Sequence, residues 1–191
     1  ANIKSPNTST NTLSFQFGLN YVFENEKNEF IYKNDTLKYK YPLQYNIVFR
    51  TGINESDIIG SGQKSFYELS FYTDKQINKM SKVQLGLDFF AMYYLKEHIK
   101  FKSIAYPNEN IKSDTDFKRV GLFLGYELLV NKFSLEAQFG YYIYEPYDFL
   151  GPIYQRLGTK YQWNKMLFNS ISLKSHGAKA EAIEFGIGVK L

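Results

Sequence analysis

The stretch MLFNSISLKSHGAKAEAIEFGIGVKL, residues 166–191, decides the fold class because its side chains alternate in character along two segments. The second segment has an apolar row and a polar row: Ile183, Phe185, Ile187, Val189 and Leu191 alternate with Glu184, Gly186, Gly188 and Lys190. The first segment alternates in the same way as far as His176. A period of two residues is typical of β-strands whose faces meet different environments, so the stretch predicts a β-hairpin.

The same alternation runs through most of the chain. Nine such segments follow residue 12, and the turns Asn131-Lys132 and Asn164-Lys165 join neighbouring segments tightly. Residues 96–117 form the longest connection and predict an exposed loop, rich in polar residues, into which the preceding strand extends. No helical period competes with this pattern, so the sequence predicts an all-β antiparallel fold.

The strand glycines indicate which face of the sheet lies inside. All of them occur on the polar parity: Gly18, Gly52, Gly86, Gly121, Gly125, Gly140, Gly158, Gly186 and Gly188. Small residues belong inside a small barrel, whereas the large Leu, Phe and Tyr side chains of the other parity would overfill it. We therefore predict a transmembrane β-barrel with a polar lumen and an aromatic, lipid-facing surface. A soluble lipid-carrier barrel would need the reverse arrangement.

The strand count is the open point of this prediction. Nine alternating segments are present, but bacterial barrels of this kind have even numbers of strands. Counting back from the C-terminus gives eight strands from Leu43 onward, which we prefer, and leaves residues 12–23 as a surplus segment that could pair with residues 37–50. The predicted organisation is a polar arm over residues 1–11 and a single barrel over residues 12–191.

The composition limits the class of protein and the chemistry that its side chains can perform. The mean hydropathy of -0.37 would suit a soluble protein, but a membrane barrel escapes that test because half of its strand residues face a polar lumen. The absence of cysteine excludes disulfides and thiolate chemistry. No leader precedes Ala1, so we expect a signal peptide to have been removed already and the protein to reside in the bacterial outer membrane. No motif predicts a cofactor, a metal or a nucleic-acid partner.

Two C-terminal motifs carry a family resemblance. GPIYQRLGTKYQW, residues 151–163, and LFNSISLKSHGAKAEAIEFGIG, residues 167–188, resemble the C-terminal portion of the PagL-like lipid A 3-O-deacylases, also called acyloxyacyl hydrolases. The likeness covers about the last forty residues. It implies an outer-membrane β-barrel in which a Ser-His-Glu triad hydrolyses an ester-linked acyl chain of lipid A.

The resemblance assigns two candidate catalytic residues and exposes one departure. His176 matches the family's histidine and Glu184 the acid that orients it, but the position of the nucleophilic serine, two residues after the histidine, holds Ala178. An alanine cannot attack an ester, so the covalent mechanism has no first step. Ser175 adjoins the histidine on the other face, and Ser172 shares its face about 13 Å away along the strand.

A structural interpretation of the same residues stands beside the catalytic one. If the hairpin keeps its parity, Lys174 lies close to opposite Glu184 as a lumen ion pair, and His176 caps the lumen. His98 is predicted to be a loop residue, and Glu145 and Asp148 to be solvated loop carboxylates.

Three function classes follow. The chain is expected to be a catalytically silent or atypical relative that acts by binding outer-membrane lipid, with lipid A favoured, or an outer-membrane protein partner. The first alternative is an active lipid A ester hydrolase with a rearranged site. The second alternative is a structural subunit of an outer-membrane protein complex.

Overall fold

Eight antiparallel strands form a closed barrel in the computed structural model, which describes residues 41–55, 58, 62–109 and 111–191. The strands are β1 Leu43–Glu55, β2 Gln63–Asn78, β3 Ser81–Met92, β4 Lys118–Val130, β5 Phe133–Tyr144, β6 Ile153–Gln162, β7 Leu167–His176 and β8 Lys179–Lys190. Each strand pairs with the next along the chain, and β8 pairs with β1. The predicted eight-stranded barrel beginning at Leu43 is confirmed.

The two ends of the barrel differ in their connections. One end, called the turn end, carries the short turns at residues 79–80, 131–132 and 163–166 together with Leu191. The other, called the loop end, carries the longer connections and the turn between β7 and β8. The predicted arm at residues 1–11 and the surplus segment at residues 12–23 lie outside the described residues.

The two faces of the sheet have the orientation that the glycines predict. Buried residues alternate with exposed or half-buried ones along most of each strand, and the large exposed side chains are mainly apolar. Exposed aromatic side chains form a band near each strand end: Tyr67, Tyr93 and Tyr144 at the loop end, and Tyr45, Tyr126, Phe133 and Trp163 at the turn end. Two aromatic bands around an apolar belt are typical of barrels that span a membrane, and the strands of 10 to 16 residues are long enough to do so.

One helix departs from the predicted all-strand pattern. Helix α1 spans Tyr93–Ala105, so β3 does not extend into residues 96–105 and the expected exposed loop is wrong for that part of 96–117. Its buried side chains are Tyr94, Leu95, His98 and Ile99. Helical residues three or four positions apart, as these are in pairs, share one face, and this face packs over the loop end of the lumen.

His98 is therefore buried in α1 and is not the loop residue that the sequence predicts. Its ring lies 4.7 Å from that of Phe149, and its Nδ1 is hydrogen-bonded to the Tyr147 hydroxyl at 2.8 Å. Helix α1 and the connection at residues 145–152 thus form a cap over the lumen. Within the part of the chain that is described, no helix has the length and apolar character needed to cross a membrane.

Charged side chains in hydrogen-bonded pairs fill the lumen. All ten charged residues that alternation places inside are buried: Arg50, Glu68, Asp88, Arg119, Glu127, Glu136, Arg156, Lys160, Lys174 and Glu184. Arg156 is the centre of this network, since its guanidinium lies 2.5 Å from Glu68, 3.0 Å from Asp88 and 2.7 Å from Glu184. A buried charge is tolerated only with such partners, so the network fixes the arrangement of the lumen.

The lipid-facing assignment predicts a depth-dependent cost of charge on β5. Phe139 lies near the middle of this strand and Ile143 near its loop end, and both side chains face outward. Phe139→Lys should destabilise the barrel by about 2–4 kcal/mol, whereas Ile143→Lys should cost about 0–1 kcal/mol because the ammonium reaches the interface. Urea titrations of folding into lipid vesicles measure both values, and equal costs at the two positions would contradict the assignment.

Candidate functional site

The hairpin of β7 and β8 brings the candidate site to the loop end of the barrel. β7 ends at His176, which pairs with Lys179 at the start of β8. Gly177 and Ala178 form the two-residue turn between them, and Gly177 has a φ of 57°. A positive φ at this position favours glycine, so the shortness of the connection has a local cause in the sequence.

A β-bulge in β8 re-aims one side chain into the lumen. The strand register shifts between Lys174, which pairs with Ala182, and Ser175, which pairs with Ala180, so that Glu181 has no partner across the strands. Glu181 and Ala182 are consecutive residues and both are buried. Bulges are known to redirect side chains in this way. Strict alternation would put Glu181 on the outward row with Ile183.

The carboxylate that the structure pairs with His176 is accordingly that of Glu181. Glu181 Oε2 lies 3.5 Å from His176 Nδ1 and 2.7 Å from the Lys174 ammonium. On the opposite side of the imidazole, the Tyr142 hydroxyl lies 3.2 Å from Nε2. The order of groups is thus phenol, imidazole and carboxylate.

Glu184, the acid assigned by family resemblance, has different partners. Its Oε2 accepts hydrogen bonds from Arg156 Nε and from the Ser172 hydroxyl, each at 2.7 Å. The prediction that Lys174 lies opposite Glu184 is wrong, because the residue opposite Glu184 is Ser172. The structure therefore places Glu184 in the central charge network of the lumen and Glu181 beside the histidine.

Two further groups enclose the Glu181 carboxylate. The Tyr94 hydroxyl from α1 donates a hydrogen bond to it, and Arg119 Nη1 lies 3.3 Å from Oε1. Burial, reinforced by the neighbouring carboxylate, holds the pKa of the Tyr94 phenol well above its ordinary value, so this hydroxyl remains a donor. Tyr94 thus ties the cap to the hairpin.

Glu145, predicted to be a solvated loop carboxylate, joins the edge of this cluster. Its carboxylate lies 3.2 Å from Arg119 Nε, and its side chain is only 8% exposed. Burial raises the pKa of the Glu145 carboxyl to about 7, although the Arg119 guanidinium acts in the opposite direction. Asp148 stays exposed and accepts a hydrogen bond from the backbone N–H of Gly151.

The serine hydroxyls near His176 along the chain have partners other than the imidazole. Ala178 is exposed at the tip of the turn, whereas His176 is only 7% exposed. Ser172 donates to Glu184, and the Ser175 hydroxyl lies 3.5 Å from Gln155 Oε1. Among the described residues, no serine or threonine hydroxyl is hydrogen-bonded to the imidazole, and no cluster of acidic and histidine side chains could hold a metal ion.

Comparison with known proteins finds a family match. A family model described as acyloxyacyl hydrolase, C-terminal domain, matches residues 43–191, which begin with β1 and end with the last residue of the chain. No curated protein sequence matches the chain significantly. A solved structure described as "De novo design of transmembrane beta-barrels" is similar at 10% identity with a TM-score of 0.41, covering 79% of this chain and 95% of that chain.

Proposed function

The chain belongs to the PagL-like acyloxyacyl hydrolase family, and from this premise we propose that it is a non-hydrolytic member that acts by binding lipid in the outer membrane. The observation that carries the proposal is the turn after His176, where the sequence has Ala178 at the position that the resemblance assigns to the family's serine. A side chain without a hydroxyl cannot form the acyl-enzyme ester, so the usual first step of the family's reaction is missing.

Burial of the histidine supports the same conclusion. The imidazole lies on the lumen side of the sheet, beneath the cap and between Tyr142 and Glu181. Outer-membrane barrels place short turns in the periplasm and longer loops outside the cell. By this rule the loop end, with the turn between β7 and β8, lies on the side of the outer leaflet. A lipid ester approaching from that leaflet would meet the exposed turn at Ala178 rather than the imidazole. The family's substrate class and the apolar outer surface together favour lipid as the ligand.

We expect the purified protein to release no acyl chain from lipid A. The test incubates it with lipid A in detergent micelles and follows free 3-hydroxy fatty acid by mass spectrometry, with an active family member as positive control. Ala178→Ser should remain inactive as well, because a serine at the exposed turn does not contact the buried imidazole. Release by the unaltered protein that disappears in His176→Ala would refute the proposal.

A second candidate function rests on the order of groups around His176. In this alternative the Tyr142 hydroxyl replaces serine: its oxygen attacks the ester carbonyl while His176 Nε2 takes the phenol proton, and Glu181 stabilises the imidazolium. The imidazolium then protonates the leaving alcohol, and water hydrolyses the acyl-tyrosine. The 3.2 Å contact between Tyr142 and His176 favours this route. The burial of Tyr142, and the approach of Arg119 Nη1 to 3.4 Å from its oxygen, weigh against it.

The two candidates differ in what Tyr142→Phe would do. If the unaltered protein releases fatty acid, this variant should abolish the release when tyrosine is the nucleophile and leave it intact when another group is. Under the favoured proposal both proteins are inactive, and circular dichroism confirms that the variant is folded. The test therefore separates a silent protein from a rearranged enzyme.

A further inference from the structure

A groove on the outer surface of the barrel lies at the loop end of β1 to β5, away from the His176 hairpin of β7 and β8. Its volume is about 380 Å³. Side chains on the lipid-facing row supply most of its lining: Phe49, Tyr67, Leu69, Phe89, Ala91, Lys118, Val120 and Tyr144. The groove is thus apolar along its length, with a single cation on this row.

The strand register explains why a groove forms here. Ala91 pairs with Tyr67 on one side and with Lys118 on the other, so a methyl group separates two long side chains. The next outward row toward the bilayer centre is wholly apolar and runs through Leu69, Phe89 and Val120. The trough over Ala91 therefore opens at its bottom onto the acyl-chain region and at its top onto the interface.

Aromatic and basic side chains form the upper rim of the groove. The Tyr93 ring lies 6.1 Å from that of Tyr67 and 5.3 Å from that of Phe117. The Lys96 ammonium lies 5.9 Å from the Phe117 ring centroid, and Lys118 is the residue after this phenylalanine. Both lysines are exposed. Lysine ammonium groups at this depth attract the anionic headgroups of membrane lipids.

Asp116 lines the groove at this end, and both acidic groups near the rim have partners of their own. Asp116 accepts hydrogen bonds from the Tyr144 hydroxyl and from the backbone N–H of Lys118, each at 3.1 Å. Glu97 on α1 lies 4.0 Å from the Lys100 ammonium. Among the described residues, no carboxylate forms a salt bridge with Lys96 or Lys118, so both ammonium groups are available to an anion at the top of the groove.

We propose that this groove binds a phosphate-bearing lipid of the outer leaflet, with an acyl chain over Ala91 and the phosphate between the ammonium groups of Lys96 and Lys118. Charge complementarity at the rim and an apolar floor facing the bilayer carry this assignment. The proposal rests on the lipid-binding part of the proposed function, and it is independent of whether the His176 hairpin is catalytic.

The test is native mass spectrometry of the protein released from micelles that contain phosphatidic acid or, in a parallel series, diacylglycerol. Phosphatidic acid should remain bound to the unaltered protein and diacylglycerol should not. The double variant Lys96→Gln/Lys118→Gln should bind phosphatidic acid at least about tenfold more weakly, because two headgroup contacts are lost. Ala91→Trp should fill the trough and reduce binding to a similar extent.

The matched control is Ala137→Trp, which places the same side chain on the outward face of β5, far from the rim lysines. It should bind phosphatidic acid as the unaltered protein does. Equal binding by all variants, or retention of diacylglycerol as strongly as phosphatidic acid, would overturn the groove assignment. Neither result bears on catalytic silence, which the fatty-acid release assay tests separately.

Discussion

Replacing Arg156 with methionine is expected to destabilise the barrel by about 3–5 kcal/mol, because breaking a buried ion-pair network leaves uncompensated charge in the lumen. The Arg156 guanidinium is fully buried and contacts three carboxylates, those of Glu68, Asp88 and Glu184. It also donates a 2.6 Å hydrogen bond to Gln138. Among the described residues only Arg50 shares one of these carboxylates as a salt-bridge partner, at 2.8 Å from Glu68.

Urea titration in lipid vesicles measures this loss, and two variants sharpen it. Arg156→Lys keeps the charge but loses the planar guanidinium with its several donors. Its stability should therefore lie between that of the unaltered protein and that of Arg156→Met. Lys132→Met, in an exposed turn, removes a cation without touching the network and should change stability by less than about 0.5 kcal/mol. A normal unfolding midpoint for Arg156→Met would show that the lumen charges do not hold the barrel together.

Gly140→Leu is expected to destabilise the barrel by about 3 kcal/mol, at the upper end of the usual cost of overpacking. A Cβ added at Gly140 would lie 2.1 Å from Cζ of Tyr154, and one added at Gly121 would lie 2.5 Å from its hydroxyl oxygen. The ring cannot easily move aside, because the Tyr154 hydroxyl donates a 2.8 Å hydrogen bond to Asp88.

Ala137→Leu is the control for this substitution, since it adds the same side chain to the outward face of the same strand. It should leave the unfolding midpoint nearly unchanged. In the double variant Gly140→Leu/Tyr154→Ala, the removed ring makes room for the leucine, so the loss should be smaller than the sum of the two single losses. If the losses of the two single variants simply add in the double variant, the contact between residue 140 and the Tyr154 ring is not the cause of the lost stability.

Alternation and glycine placement were sufficient to predict the barrel. Glycines on one parity indicate limited space on the inner face, and the structure gives the reason at individual residues. Gly140 lies against the Tyr154 ring, and Gly188 lies against the Phe168 ring. A Cβ added at Gly188 would be 2.2 Å from Cζ of Phe168. Aromatic side chains therefore fill part of the lumen, and the glycines opposite them make the space.

Glu181 could not be found from the same pattern. A bulge shifts the register by one residue, so that Glu181 turns inward from a parity that elsewhere faces lipid. One signal was available in the sequence: Glu181 is a carboxylate on the row of Ile183 and Phe185, where a charge facing lipid would be costly. An acidic residue on a lipid-facing row thus indicates that the alternation is interrupted there, by a bulge or by the end of the strand.

The sequence pattern does not predict helix α1, for a different reason. Its apolar and polar residues separate only weakly around the helix, since exposed aromatics such as Phe101 lie among lysines. The face that packs on the barrel is defined by contacts with residues distant in sequence, Phe149 and Glu181 among them. Such tertiary contacts override a weak local helix propensity. The polar segment between β3 and β4 has no other sequence feature that would predict a helix.

Mass spectrometry of lipid A from cells with and without the gene tests the central claim most directly. A non-hydrolytic lipid-binding barrel predicts identical lipid A profiles in the two strains, including when the protein is overproduced and shown to be folded in the outer membrane. A lipid A species lacking one 3-hydroxyacyl chain, present only with the gene and lost in the His176→Ala strain, would contradict the account.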